Sequence, residues 1–328
     1  MPTPSKYNPF GFSRLQHILI LAISAVFIIS FVLIWVRGYP PCTAPAPMVK
    51  HTANAKVIWE KGGFYIANND RNPPRIVSLN HMVVLIENCN KVVALDGQTG
   101  EELWTARYDD YVEGLAISPT RVFVSYGYSS ITTRDVETGW FLWNTEVLEG
   151  KHVDIMRVQG DTLYAGYNYL YTLLDARTGW ALDSGNFLDE KYLPSEVFPS
   201  QGIQAIESWF SADVVVGNIG YWSGTDGVVA RDISNGSELW FSNIHLISPI
   251  AVTGNSIYAI SQNGDLMRFD SATGAAYVKI HFTPAPMAHF FQGDEYDYNN
   301  FVTVDPATNM AYVYLGDSQT LKAYQLNP

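Results

Sequence analysis

Acids and amides crowd one stretch of this chain, Gly293-Asp294-Glu295-Tyr296-Asp297-Tyr298-Asn299-Asn300. Oxygen-rich loops suit hard cations, which take carboxylate and carbonyl ligands. The spacing is not that of an EF-hand, so a solvated acidic loop is the plainer reading. His281 and His289 flank Pro284-Ala285-Pro286 without an HxxxH spacing and read as surface or packed histidines. Cys42 and Cys89 are the two cysteines. In an oxidising compartment they could pair, or Cys42 could bridge two chains; two unpaired thiols are the other reading. No CxxC, GxSxG, Walker-type loop or GxGxxG occurs. The sequence therefore assigns no catalytic residue, no cofactor and no metal ligand.

Aromatic residues offer recognition rather than chemistry. Tyr126, Tyr128, Tyr164, Tyr167, Tyr169, Tyr171 and Trp222 cluster on apolar segments, where most are expected to pack. The Gly-rich stretch Gly217 to Gly227 carries Tyr221 and Trp222, the tentative partner-binding pair, since such side chains make good anchors.

The elements that position these residues are written in an eleven-residue phrase. It is most complete from Ala94 to Trp104 (ALDGQTGEELW) and returns at Thr133 to Trp143, Leu173 to Asp183, Ala230 to Trp240 and Arg268 to Val278. Its fixed points are Asp96, Asp135, Asp175, Asp232 and Asp270, each followed by Gly100, Gly139, Gly179, Gly236 or Gly274. The Asp can accept from backbone N–H groups ahead of it, and the Gly supplies a left-handed position. Apolar β-formers on both sides make each copy a hairpin, and two further strands precede it. Four strands in each repeat of roughly forty residues is the pattern of a propeller blade.

The AxDxxTGxxxW phrase, with a VYxG-like strand before it, resembles the repeat of PQQ-like (quinoprotein-type) β-propellers over roughly residues 57–328. The resemblance implies that Trp104, Trp143 and Trp240 dock between neighbouring blades, with Asp183 and Val278 in the Trp position of the other two copies. The family includes quinoprotein dehydrogenases and cofactor-free propellers. The dehydrogenases have eight blades and an adjacent cysteine pair beside the quinone; the cysteines here are isolated and the chain is too short for eight blades. That makes a quinone enzyme the least favoured reading.

The phrase Asp recurs at 96, 135, 175, 232 and 270, and an insertion around Gly185 to Gln201 lengthens one interval. A degraded sixth unit holds Met310 to Tyr314 and Leu321 to Gln325, without a last strand after it. Lys56 to Glu60 resembles that missing strand. Six blades closed by pairing 56–60 with 321–325 is the expectation, and seven is the alternative.

Ahead of the repeats, Ile18 to Val36 is free of charge and fourteen of its nineteen residues are Ile, Leu, Val or Phe. At about 1.5 Å per residue it matches the ~30 Å hydrocarbon core of a bilayer. The expected organisation is a cytoplasmic segment 1–17, an uncleaved transmembrane anchor 18–36, a Pro/Ala-rich linker 37–55 and a propeller 56–328. Lys6 and Arg14 before the span favour a cytoplasmic N-terminus. After residue 50 there are sixteen basic and thirty-two acidic side chains, which excludes a nucleic-acid partner. The expectation is a single-pass protein of a prokaryotic cytoplasmic membrane, its C-terminal domain outside. It would be a non-enzymatic scaffold for a protein or envelope partner. The alternative is a small-molecule sensor or enzyme using the central channel.

Overall fold

The computed structural model describes residues 49–66, 74–167, 170–186, 212–224, 226–287 and 300–326. The expected anchor 18–36 and most of the insertion lie outside them, as do His289 and most of the acidic stretch 293–300. Among the described residues no helix is long and apolar enough to cross a membrane.

Six antiparallel sheets form the fold. Two short N-terminal strands, β1 (Thr52–Ala53) and β2 (Val57–Gly62), join sheets formed much later in the chain. Blade one is β3 (Ile76–Leu79), β4 (Met82–Glu87), β5 (Lys91–Asp96) and β6 (Glu102–Arg107). Blade two is β7 (Val112–Ile117), β8 (Arg121–Tyr126), β9 (Ser130–Asp135) and β10 (Phe141–Glu146). Blade three is β11 (Ile155–Gln159), β12 (Thr162–Tyr167), β13 (Leu170–Asp175) and β14 (Ala181–Asn186). Blade four is β15 (Val214–Val216), β16 (Ile219–Gly224), β17 (Gly227–Asp232) and β18 (Glu238–Ser242). Blade five is β19 (Ala251–Thr253), β20 (Ser256–Ile260), β21 (Asp265–Asp270) and β22 (Ala276–Thr283). Blade six takes β23 (Phe301–Asp305), β24 (Met310–Leu315) and β25 (Thr320–Gln325) from the C-terminal end.

The fourth strand of blade six is β2, with Val57 opposite Tyr324 and Trp59 opposite Ala323. The ring closes as the sequence implies, with six blades rather than seven. One feature of the expected linker differs. Within 37–55, β1 adds a fifth strand to blade five, Thr52 opposite Thr283 and Ala53 opposite Phe282.

The middle strands explain why simple alternation is weak in this sequence. Successive side chains of a strand point to opposite faces, and here both faces of a blade are covered. Val83 and Leu85 of β4 pack toward Tyr312 and Tyr314 of blade six, while Val84 and Ile86 pack toward Leu115 and Val124 of blade two. The consequence is a continuous apolar run on each middle strand and a core distributed as wedges between blades.

The phrase works as its chemistry demands. Asp96 Oδ1 accepts from the N–H of Gln98 and Thr99, at 2.9 and 2.8 Å, and from Thr99 Oγ1. Gly100 then takes φ +74°. The same set recurs around Asp135, Asp175 and Asp270, and with Ser234 around Asp232. In the degraded copy, Gln325 stands at the Asp position and donates through Nε2 to Thr308 O and Asn309 O.

Candidate functional site

Two surfaces built by the ring could carry function: the central channel and the outer rim. The innermost strands β3, β7, β11, β15, β19 and β23 surround a cavity of about 340 Å³. Its wall is mostly aliphatic and holds Arg75, Arg157 and Asp213 as its charged side chains. Arg75 is buried and crosses from blade one to blade two, donating from Nη1 to Val112 O at 3.1 Å and from Nη2 to Tyr111 Oη at 2.6 Å. Its guanidinium also lies 5.0 Å from the centre of the Tyr111 ring. Arg157 crosses from blade three to blade four and donates to Ala212 O. Burial pushes this guanidinium down to about 10, and the charge of Asp213 opposes that shift. Asp213 is itself buried, accepting from Ser223 N and Ser223 Oγ at 2.5 Å each. Ser78 and Thr303 close the seam between blades one and six by an Oγ–Oγ1 hydrogen bond of 2.9 Å.

The rim is apolar where a soluble turn would be polar. Trp140 and Trp180 follow the turn glycines of blades two and three and are 76% and 78% exposed. Phe141, Leu142 and Leu182 beside them are exposed too. Gly179 abuts the indole of Trp143, so the turn carrying Trp180 sits against β10, the strand that begins at Phe141. A β-bulge opposite the third strand of each edge hairpin interrupts the outer ladder, for example between Ala94 and Leu95. Such bulges discourage sheet edges from pairing with one another.

Three phrase tryptophans each donate to the turn of the next blade. Trp104 Nε1 donates to Val136 O at 2.8 Å, Trp143 Nε1 to Ala176 O at 3.3 Å, and Trp240 Nε1 to Ser271 O at 2.9 Å. Each acceptor directly follows the phrase Asp of the next blade. Trp59 does the same to Gly97 O at 2.8 Å, so the closing strand carries a fourth docking Trp. Asp183, at the Trp position of blade three, instead accepts from Tyr171 Oη at 3.0 Å.

The tentative partner-binding pair separates. Tyr221 is 2% exposed and donates to Ser271 O, with its ring centre 6.0 Å from that of Trp240. It serves the seam between blades four and five rather than the surface. Trp222 is half-buried, with Arg231 5.7 Å over its ring. Most of the Gly-rich stretch is strand: Gly217 makes a tight turn at φ +58°, and Gly220 leaves room that the Trp222 ring fills.

Sequence reasoning missed Trp140, Trp180, Arg75 and Arg157. Trp in the variable place after Thr-Gly, where other copies carry Glu, Ser or Ala, was a readable signal for the rim. The two arginines share no repeat position, so nothing in the phrase marks them. Of the remaining candidates, His281 Nδ1 pairs with Asp265 at 2.7 Å. Asn300 is buried and donates to Ile247 O and Met287 O. Cys89 is buried and disulfide-bonded; the chain's other cysteine, Cys42, is outside the described residues. Among the described residues no three His, Cys, Asp or Glu side chains gather as a metal site.

No curated protein matches the chain in sequence. Among solved structures, a chain of the crystal structure of a mitotic checkpoint complex superposes with a TM-score of 0.58 at 11% identity, covering 87% of this chain and 98% of that one. At that identity the likeness concerns the fold alone. The crystal structure of BamB from Moraxella catarrhalis aligns with a TM-score of 0.36 at 15% identity, covering 76% of this chain and 81% of that one. The family profile described as outer membrane protein assembly factor BamB matches residues 53–279, which is well over half of the sequence. With its phrase turns and interblade tryptophans in place, the chain belongs to the BamB family of PQQ-like β-propellers.

Proposed function

We propose that this protein is a membrane-anchored, extracytoplasmic scaffold whose propeller rim holds a protein partner of the cell envelope. The observation that carries the reading is the exposure of Trp140, Phe141 and Trp180 at the turns of two neighbouring blades. Large exposed apolar patches on a folded domain mark interaction sites, and Trp is the residue most enriched among binding hot spots. BamB-like propellers are interaction scaffolds in general, which supports a protein partner and a non-catalytic role. The charge-free segment Ile18 to Val36 supports the anchor. The disulfide at Cys89 supports an oxidising compartment, hence a domain outside the cytoplasm.

The test is co-purification from native membranes. Replacing Trp140 and Trp180 together by Ala should remove a stoichiometric partner protein while leaving thermal unfolding within a few degrees of the parent. Trp222→Ala is the comparator, since its ring is half-buried and packs with Arg231. Retention of every co-purifying protein by the double variant would sink the rim as the docking surface.

A further inference from the structure

We infer that the central channel is a binding site for a compact monocarboxylate with an apolar body, and that Arg75 is its anchor. The inference stands on the channel alone and is independent of what docks on the rim.

Arg75 is the group that needs explaining. Its guanidinium is buried, its Nη groups donate to an uncharged carbonyl and an uncharged phenol, and its Nε is buried without a hydrogen-bond partner. None of the ion pairs among the described residues includes it. A buried cation without a counter-charge is costly, and a buried polar atom without a partner calls for an unseen water or ion. Water satisfies a donor but brings no charge. Arg157 in the same cavity is the contrast, because Asp213 supplies it with a carboxylate. With two guanidiniums and one carboxylate the wall carries a single net positive charge, inside a protein whose net charge is −12.

The ligand class follows from that wall. One unmatched guanidinium takes one negative charge, and the planar carboxylate suits its fork of N–H donors. Tyr111 Oη, 2.6 Å from Nη2, stands beside the same fork. A phosphate dianion would overbalance the site and face Asp213. The half-buried Ile117, Ile155, Val158, Val215 and Val252 line the remainder, so the body of the ligand is apolar. At about 340 Å³ the cavity is near the lower end for small-molecule sites, which limits the body to roughly one ring or a short chain.

The experiment is titration calorimetry on the full chain in lipid nanodiscs, with empty nanodiscs as blank, using benzoate, benzyl alcohol and inorganic phosphate. Benzoate should bind at one site, benzyl alcohol about tenfold more weakly or worse, and phosphate not at all. Arg75→Gln should weaken benzoate by about tenfold to hundredfold, the worth of a charged hydrogen bond, and leave benzyl alcohol unchanged. Absence of benzoate binding overturns the inference, as does equal binding of benzyl alcohol, tighter binding of phosphate, or indifference to Arg75→Gln. Should Arg75→Gln fail to fold, Val215→Phe decides, since Val215 lines the cavity from blade four and is only half-buried there. It must abolish benzoate binding, and retained binding refutes the site. None of these outcomes bears on partner capture by the rim.

Discussion

Four seams between blades are closed by a tryptophan, and two are not. Where blades six and one, one and two, two and three, and four and five meet, Trp59, Trp104, Trp143 and Trp240 reach the next blade's turn. Between blades three and four the Trp position holds Asp183, and the contact moves inward to the channel, where Arg157 reaches Ala212 O beside Asp213. Between blades five and six it holds Val278, which is 55% exposed. There the N-terminal segment takes over: β1 extends blade five, His51 joins Pro284 to Asp317, and Lys322 Nζ donates to His51 O. Repetition makes identical seams cheaply, and departures from it are replaced by unique, polar contacts. The two unique seams hold Arg157 with Asp213 and His51 with Asp317 and Lys322, while Arg75 and Asp305 are buried at seams that a tryptophan also closes.

The sharpest way to break this comparison is to remove its two kinds of rim residue. Trp104→Ala should cost about 3–5 kcal/mol, the range for deleting a buried aromatic side chain. Val278→Ala, at the matching position of an exposed edge, should fall within about 0.5 kcal/mol of the parent. Chemical denaturation reads both, and equal costs would show that the Trp contact is not what holds the seam.

Next in size is the channel seam. Asp213→Ala removes a buried carboxylate that accepts from Ser223 and favours the charge of buried Arg157, and should cost about 3 kcal/mol, the range for breaking a buried charged contact. Since Arg157 stays charged at neutral pH, Arg157→Met in the same chain should recover part of the loss. An additive double variant would remove the coupling from the account.

A third comparison separates backbone strain from the Trp contact. Gly139 and Gly160 both sit at positive φ, +70° and +58°. A Cβ on Gly139 would lie 2.6 Å from the Trp104 ring, whereas a Cβ on Gly160 meets nothing within 4 Å. Gly160→Ala should therefore cost about 1 kcal/mol from backbone alone, and Gly139→Ala should cost distinctly more. Equal unfolding midpoints would mean that the indole shifts freely.

What the sequence showed and what it hid divide along the same line. The Asp-Thr-Gly turns, the docking tryptophans and the closing strand at Trp59 were legible, because each is a local pattern repeated with fixed spacing. Tyr221 and Trp222 were read as a pair, but adjacent strand residues point to opposite faces, so one is buried between blades four and five while the other stays half-buried. Arg75 and Arg157 were invisible. They meet the neighbouring blade through residues 36 and 55 positions away, and no periodicity encodes such a pairing. Trp140 and Trp180 hid in plain view, since a turn position says nothing of exposure until the neighbouring blade is in place.

The smallest expected effect belongs to the seam of blades five and six, and it is a matter of pH. His51 Nδ1 lies 2.7 Å from Pro284 O and Nε2 lies 2.7 Å from Asp317 Oδ1. Both neighbours accept, so the ring satisfies both only as the doubly protonated imidazolium. Burial works against that charge, but the hydrogen bonds to Asp317 and Pro284 outweigh it, with Lys322 opposing, and the group sits above the ordinary 6.5. A raised folded value means that the native state holds the proton more tightly than the unfolded chain. The contribution is thus fully present below the unfolded value and fades as pH rises through the folded one. Thermal unfolding of the parent and of His51→Gln, followed from about pH 5.5 to about pH 8.5 around the free imidazole value, should show the parent's advantage shrinking toward alkaline pH. A constant gap would mean that His51 holds the N-terminal segment as a neutral ring, and a gap widening with pH would reverse the sign of the whole assignment.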